Sequence, residues 1–319
     1  MSLIGSALSW KRVLVTGGTG FIGTHLVRGL TSCGDYEVSV FSNWEPTAEQ
    51  HALGAHYILG QVEAKGAIER AVRELRPETI YHLSWNSIHE SSLADAGADL
   101  QSNLLGTVRV LEAACAHGVR RVVFMSSGGT VYGLPDTDRV AETHPTHPIC
   151  AYGITKLAAE KYLRMYGFLQ GIEHITLRAS VPYGPGQDPG RRQGAVSVFV
   201  NRGLRARPVT IWGDGSSTRD YFFIEDMIAP MIRAMHIEIP ENPVYNLGGD
   251  APCSLEQLLK EIGSVLGAPL EVNYESARKF DVPTILLDSS RAKRDLSWSP
   301  ATSLQEGIRR TADWQRSLF

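Results

Sequence analysis

Tyr152 and Lys156 stand four residues apart in Tyr152-Gly153-Ile154-Thr155-Lys156, on one face of a helix expected to run from Tyr152 to Leu169. At its ordinary pKa of ~10 a phenol is a poor base. A neighbouring ammonium favours the phenolate and brings it toward a working acid/base for a hydroxyl group. Spacing alone does not assign that role, because an exposed Tyr/Lys pair on an ordinary helix has the same pattern. Further hydroxyls precede the pair in Ser126-Ser127-Gly128-Gly129-Thr130, at the end of an apolar strand Arg121-Val122-Val123-Phe124-Met125.

A second motif supplies the context. Val13-Leu14-Val15-Thr16 runs into Gly17, Gly20 and Gly23 at the spacing G-x-x-G-x-x-G, and an amphipathic run, Phe21 to Leu30, follows at once. Gly17 allows a tight turn after the strand, and Gly20 lets the backbone approach a pyrophosphate. Gly23 lets the helix sit close to the sheet, while the amides and dipole of its first turn, around Phe21 and Ile22, face the phosphates. Strand, glycines and helix in this order predict a dinucleotide site. A nicotinamide beside Tyr152 suits removal of a proton from a sugar hydroxyl as hydride leaves its carbon.

These groups need a scaffold, and the chain predicts a doubly wound parallel α/β sheet of the Rossmann type. Glu37-Val38-Ser39-Val40-Phe41 and Thr79-Ile80-Tyr81-His82-Leu83 read as further strands. Helical runs at Ala64 to Leu75 and Leu100 to His117 alternate with them. The second strand ends in Ser42-Asn43, where a fold binding NAD usually carries an acid on the ribose 2′-hydroxyl. Neither residue repels a 2′-phosphate, and no lysine or arginine follows to bind one. The lean is to NAD, with NADP left open. From Pro182 the composition changes to a turn-rich loop, then to expected elements at Val196 to Leu204, Val209 to Trp212, Leu255 to Leu266 and Leu304 to Arg316. Residues 1–178 are expected to form the dinucleotide-binding domain and 179–319 mainly a smaller substrate lobe, with a discontinuous boundary.

A length of 319 residues and 43% hydrophobic content suit a large α/β unit or two lobes. A net charge of -3 gives no reason to expect a nucleic acid or an anionic membrane as partner. Met1 to Trp10 lack a signal-peptide pattern, and no apolar run approaches a transmembrane span. The scattered cysteines, Cys33, Cys115, Cys150 and Cys253, read as reduced thiols of a cytoplasmic enzyme. His144 and His147 lack a third ligand, so no metal site is expected. Arg191-Arg192 reads as a solvated pair rather than a nucleic-acid patch.

Taken together, these motifs resemble the extended short-chain dehydrogenase/reductase family, in its nucleotide-sugar epimerase/dehydratase group. The resemblance extends to Tyr81-His82-Leu83-Ser84, Asn103-Leu104-Leu105-Gly106-Thr107, Val131-Tyr132-Gly133, Tyr183-Gly184-Pro185-Gly186, Gly213 to Asp220, the Arg278/Asp281 pair and Trp298-Ser299-Pro300. It implies a bound NAD and a nucleoside-diphosphate hexose. Tyr152 would be the acid/base and Lys156 its pKa-lowering partner on the nicotinamide ribose. Cofactor contacts would fall on the glycine run, Ser42, Asn43, Gln61, Val62, Leu83, Ser84, Trp85, Asn103 and Ser126. Arg219 and Arg278 would hold the diphosphate, with Asp281 near the nucleotide ribose. A homodimer through Leu100–His117 and Tyr152–Leu169 is implied as well.

The chain also departs from the family pattern. The hydroxyl that helps the tyrosine falls on Gly128, so Ser127 or Thr130 must substitute; Thr130, two residues along the same strand end, is expected to face the same way. An asparagine two residues before Tyr183 is replaced by Val181. The acid pair of 4,6-dehydratases falls on Gly129-Thr130 and is absent, which disfavours dehydration. The implied function is a UDP-hexose-type 4-epimerase working through a transient 4-keto sugar. The alternatives are an NAD(P)H-dependent reductase of an NDP-4-keto-6-deoxyhexose and a catalytically silent sugar-nucleotide-binding protein.

Overall fold

The computed structural model describes residues 11–191, 194–278 and 281–318; the expected absence of a leader at Met1–Trp10, Arg192, Lys279 and Phe280 lie outside them. Seven strands form the main sheet: β1 (Arg12–Thr16), β2 (Glu37–Ser42), β3 (His56–Leu59), β4 (Thr79–His82), β5 (Arg121–Ser127), β6 (Glu173–Ala179) and a last strand, Val244–Leu247. Every pairing is parallel, in the order Val244–Leu247, β6, β5, β4, β1, β2, β3. The chain winds outward from β1 through β2 to β3, then returns to place β4 on the other side of β1. That reversal opens a crevice beyond the carboxyl ends of β1 and β4, where open α/β sheets bind ligands.

Helices cover both faces, so the strands are apolar on both sides and their side chains alternate between two cores. Val13 and Val15 pack with Leu26, Val27 and Leu30 of α1 (Phe21–Cys33), whereas Leu14 packs with Ile68, Val72, Val110 and Leu163 of the opposite layer. That second layer contains Ala67–Leu75, Gly106–Ala116 and Ala151–Gln170. The expected helix at Leu100–His117 is interrupted: Leu100–Leu105 is a π-helical segment that passes into the α-helix Gly106–Ala116. The run expected from Ala64 starts at Ala67, after Gly66 with φ +74°.

In the second half, Ala195–Leu204, Leu255–Leu266 and Leu304–Arg316 pack together. The last two begin at Ser254 and Ser303, whose side chains accept from the Gln257 and Glu306 amides and cap the helices. Val209–Trp212 pairs with Val272–Glu275, and Thr218–Arg219 lies between Cys253–Ser254 and Thr284–Ile285. Val244–Leu247 leaves this half and joins the main sheet beside β6. No helix among the described residues is long and apolar enough to cross a membrane, and none of their acidic, histidine or cysteine side chains form a metal-binding group.

Candidate active site

The glycine turn is built by close contacts. Gly17 has φ +72°, and a Cβ there would lie 2.8 Å from the Ser84 amide nitrogen, so the ends of β1 and β4 meet without side chains. A Cβ on Gly23 would lie 2.2 Å from the Gly17 carbonyl oxygen, which admits no side chain at all. Gly20 sits at the start of α1, and no side chain of the described residues caps the helix there. The first-turn amides therefore face the crevice, a cradle that fits a pyrophosphate.

Ser42 is buried at the end of β2, with its hydroxyl 2.5 Å from that of Thr19 and accepting from the Trp44 amide, while Asn43 is exposed. Ser42 thus orders the glycine turn, and Asn43 is the outward-facing polar group. Gln61 is exposed beyond β3, and Val62 packs where a Cβ on Gly106 would fall. Leu83 and Ser84 follow β4 directly, their amides held by the Thr16 carbonyl and hydroxyl.

His82 is locked between Thr16 and Thr107, at 2.8 and 2.9 Å. Burial, with the Lys156 charge adding to it, pushes its pKa down to about 3, so it is a neutral structural imidazole.

The Tyr152/Lys156 pair lies on one face of the Ala151–Gln170 helix, as the spacing implies. Lys156 is buried, donates to the Met125 carbonyl at 2.6 Å, and sits 3.6 Å from the centroid of the Trp85 ring. Burial holds its pKa well below the usual lysine value, opposed by Glu160 and Asp99. The ammonium is 5.8 Å from the Tyr152 ring centroid, and burial pushes the phenol up rather than down, with Cys150 and Asp99 adding to the rise. The nearest partners of the Lys156 ammonium are thus a carbonyl and an indole face, with the Tyr152 ring next to them. Trp85 makes an edge contact with Tyr152 at 5.9 Å and so lines the reaction end of the crevice.

Three other expected site residues have structural partners or places of their own. Ser126 donates to Glu160 at 2.5 Å, so its hydroxyl is engaged in a buried network. Asn103 is buried; it donates to Ser87 and Asp99 and accepts from the Asn86 amide, so its side chain braces the loop after β4. Thr130 is not on the strand: β5 ends at Ser127, and Gly128 to Thr130 form a turn, so a two-residue alternation does not apply. The turn itself brings Thr130 to a cavity shared with Gly129, Ile149, Cys150, Arg219, Asp281 and Val282.

Arg219 donates to the carbonyls of Thr218, Val282 and Pro283, and Arg278 makes a two-bond pair with Asp281 at 2.8 and 3.0 Å. Arg278 also stacks 4.2 Å over the exposed Trp212 ring, a contact that only the lobe's folding creates. The three expected phosphate and ribose residues are thus brought to one place.

Gly128 is explained by Leu287. A Cβ at Gly128 would lie 2.4 Å from Leu287 Cδ1 and 3.1 Å from the Arg178 carbonyl. Gly128→Ser is expected to cost about 1–3 kcal/mol of stability through overpacking. Leu287→Ala in the same chain should return part of that loss, as read from the urea midpoints of the two variants.

The comparisons agree with this geometry. The NAD dependent epimerase/dehydratase family matches residues 13–248. UDP-glucose 4-epimerase of Mycolicibacterium smegmatis is 35% identical over 96% of this chain and 99% of its own. The structure of the Thermotoga maritima UDP-glucose 4-epimerase with UDP-glucose superposes with a TM-score of 0.91 at 34% identity, covering 96% and 99% of the two chains. The Thermus thermophilus UDP-glucose 4-epimerase complex with NAD gives 0.89 at 34% identity, over 97% and 100%. Sequence and fold coincide over nearly the whole length, and the chain belongs to the NAD dependent epimerase/dehydratase family.

Proposed function

We propose that this chain is an NAD-dependent nucleotide-sugar 4-epimerase acting on a UDP-hexose. The observation that supports the reading is a run of contacts: Gly17 of the uncapped glycine turn lies against Ser84, the next residue Trp85 touches Tyr152, and Cys150, just ahead of the Tyr152 helix, lines the cavity of Thr130, Arg219 and Asp281. Gly17, Gly20 and Gly23, with the amides of Phe21 and Ile22, would hold the pyrophosphate. Asn43, Gln61 and Val62 would hold the adenosine half, and Leu83, Ser84 and Trp85 would border the nicotinamide. The residues after Asn43 are Trp44, Glu45 and Pro46, none able to pair with a 2′-phosphate, which favours NAD over NADP.

The bound cofactor supplies a reversible hydride acceptor at C4 of the sugar. Tyr152 would take the proton of the C4 hydroxyl and return it to the same oxygen once the 4-keto sugar has turned to present its other face to the hydride donor. Lys156 must leave the Met125 carbonyl and the Trp85 face to serve the cofactor ribose and the phenolate. Thr130 donates its hydroxyl to the C4 oxygen in the place of the missing serine at Gly128, with Ser127 the nearer alternative to the strand. Arg219 and Arg278 pair with the diphosphate, for which a planar fork is suited. Asp281 orients Arg278 and accepts from the nucleotide ribose.

In this reading residues 1–178 and the strand Val244–Leu247 serve the cofactor, and most of 179–319 serves the nucleotide sugar. The enzyme acts in the cytoplasm as a homodimer. Ile154, Met165, Phe168 and Leu169 of the Tyr152 helix are exposed, Phe168 to 88%, and Leu100 and Leu105 lie on the neighbouring segment. A monomer by sedimentation at micromolar protein removes the dimer.

The test of function starts from the protein as isolated: any nucleotide is released with acid and identified. The protein is then incubated with UDP-glucose or UDP-galactose, with no cofactor added. NAD in the extract and C4 inversion by proton NMR support the epimerase. Reduction of a 4-keto sugar only when NAD(P)H is supplied, without inversion, replaces it by the reductase.

A further inference from the structure

Asp99 belongs to none of the groups so far assigned a task in catalysis, yet it is 2% exposed and fully engaged. Its Oδ1 accepts from the Ser87 hydroxyl and from Asn103 Nδ2 at 2.8 Å. Its Oδ2 accepts from the Thr155 hydroxyl at 2.5 Å. Thr155 lies on the Ala151–Gln170 helix between Tyr152 and Lys156, and Ser87 lies two residues beyond Trp85 on the loop after β4. Asn103 extends the tie by accepting from the Asn86 amide and donating to Ser87. A single carboxylate thus joins the helix that carries the acid/base to the loop that carries the indole under Lys156.

We propose that Asp99 is a positioning residue for the Tyr152/Lys156 pair, fixing through Thr155 and Ser87 the distance between that helix and the Trp85 loop. The proposal rests on the reading of Tyr152 as the acid/base. A neutral side chain would fill the same space, but the three donors all point at an acceptor, and a charged acceptor makes the stronger bonds. A buried charge in such a place also acts on the pair itself. It favours the ammonium of Lys156, behind burial and Glu160, and disfavours the phenolate of Tyr152, behind burial and Cys150. The other titratable groups around the pair are Cys150 ahead of the helix, His82 of β4, held neutral, and Glu160 one turn on, which is taken up by Arg178 and Ser126. Asp99 is the carboxylate near Lys156 that carries no arginine or lysine partner among the described ion pairs.

The consequence separates a positioning role from a merely structural one. Asp99→Asn keeps the volume and removes the charge, so both the acid and the alkaline limb of the kcat–pH profile for C4 inversion should move to lower pH, by roughly one unit. Thr155→Val keeps the charge and cuts the tie, so kcat should fall about tenfold or more, with KM little changed and the limbs in place. Thr155→Ser should restore the rate. Tyr152→Phe is run alongside as the control. If Tyr152→Phe is inactive while Asp99→Asn leaves both limbs unmoved, or Thr155→Val matches the parent, the Asp99 proposal is overturned. If Tyr152→Phe still inverts C4, the acid/base reading fails first, and the two failures are distinct. Should Asp99→Asn not fold, the Thr155 pair still decides, because it leaves the carboxylate in place.

Discussion

Tyr152→Phe should lower kcat for C4 inversion by about 10²–10⁴-fold, the usual worth of a positioned general acid/base, while the nucleotide sugar still binds. The substitution removes one oxygen from a ring that packs edge-on to Trp85, so the ring contacts survive. Isothermal titration with UDP-glucose should therefore give nearly the parent affinity, since Arg219, Arg278 and Asp281 lie in the other half of the chain. The combination matters more than either result alone. A lost rate with retained binding assigns the proton to Tyr152. A retained rate would move that task to another hydroxyl, and Thr130 on the neighbouring cavity would be the first to examine. Removal from water raises the Tyr152 phenol, so its use as a base calls for positive charge close by.

Arg178→Met should be the most destabilising of the substitutions considered, at about 3–5 kcal/mol, because it leaves a buried carboxylate without its partner. Arg178 and Glu160 are each 6% exposed at the side chain and share two bonds, at 3.0 and 2.6 Å. Arg178 also donates to the Tyr132 hydroxyl, which donates in turn to Asn246, so β6, the Tyr152 helix, the segment after β5 and the last sheet strand meet at one point. Glu160 is held from a third side by Ser126. The double variant Glu160→Met/Arg178→Met removes both charges together and should recover most of the loss, since two apolar side chains of similar volume suit the site. Guanidinium unfolding of the three proteins measures the difference. A single variant within about 1 kcal/mol of the parent would mean that water or a rearranged partner reaches Glu160.

This network also explains what the chain conceals when read linearly. Glu173-His174-Ile175-Thr176-Leu177-Arg178-Ala179 is a central strand, but its charged and polar residues interrupt the apolar run that marks a buried parallel strand. Arg178 is tolerated there only because Glu160, eighteen residues earlier on a helix, lies against it. His56–Leu59 is an edge strand with partly exposed residues and so carries little pattern. Val244–Leu247 is separated from the rest of its sheet by the lobe, and Asn246 within it is buried by bonds to distant carbonyls. The helices with local punctuation were legible to within a residue: Leu255–Leu266 and Leu304–Arg316 begin after serines that cap them and need no tertiary partner to be seen.

The site divides along the same line. The glycine turn and the Tyr152-to-Lys156 spacing are local: φ above zero at Gly17, the close approach at Gly23 and the i, i+4 geometry of a helix follow from covalent structure and short range sterics. The Rossmann order of elements and family membership were therefore readable in the chain, whereas Arg219, Arg278 and Asp281 were named only through the family resemblance and are brought together by the folding of the lobe. The direction of the Lys156 ammonium, the use of Ser126 and Asn103 as braces, the turn that carries Thr130, the Leu287 side chain that excludes a residue larger than glycine at 128, and the Asp99 tie were settled by tertiary structure alone. Each depends on which group, tens of residues away in sequence, arrives within hydrogen-bond or van der Waals reach, and such pairings leave no periodicity for a linear reading to find.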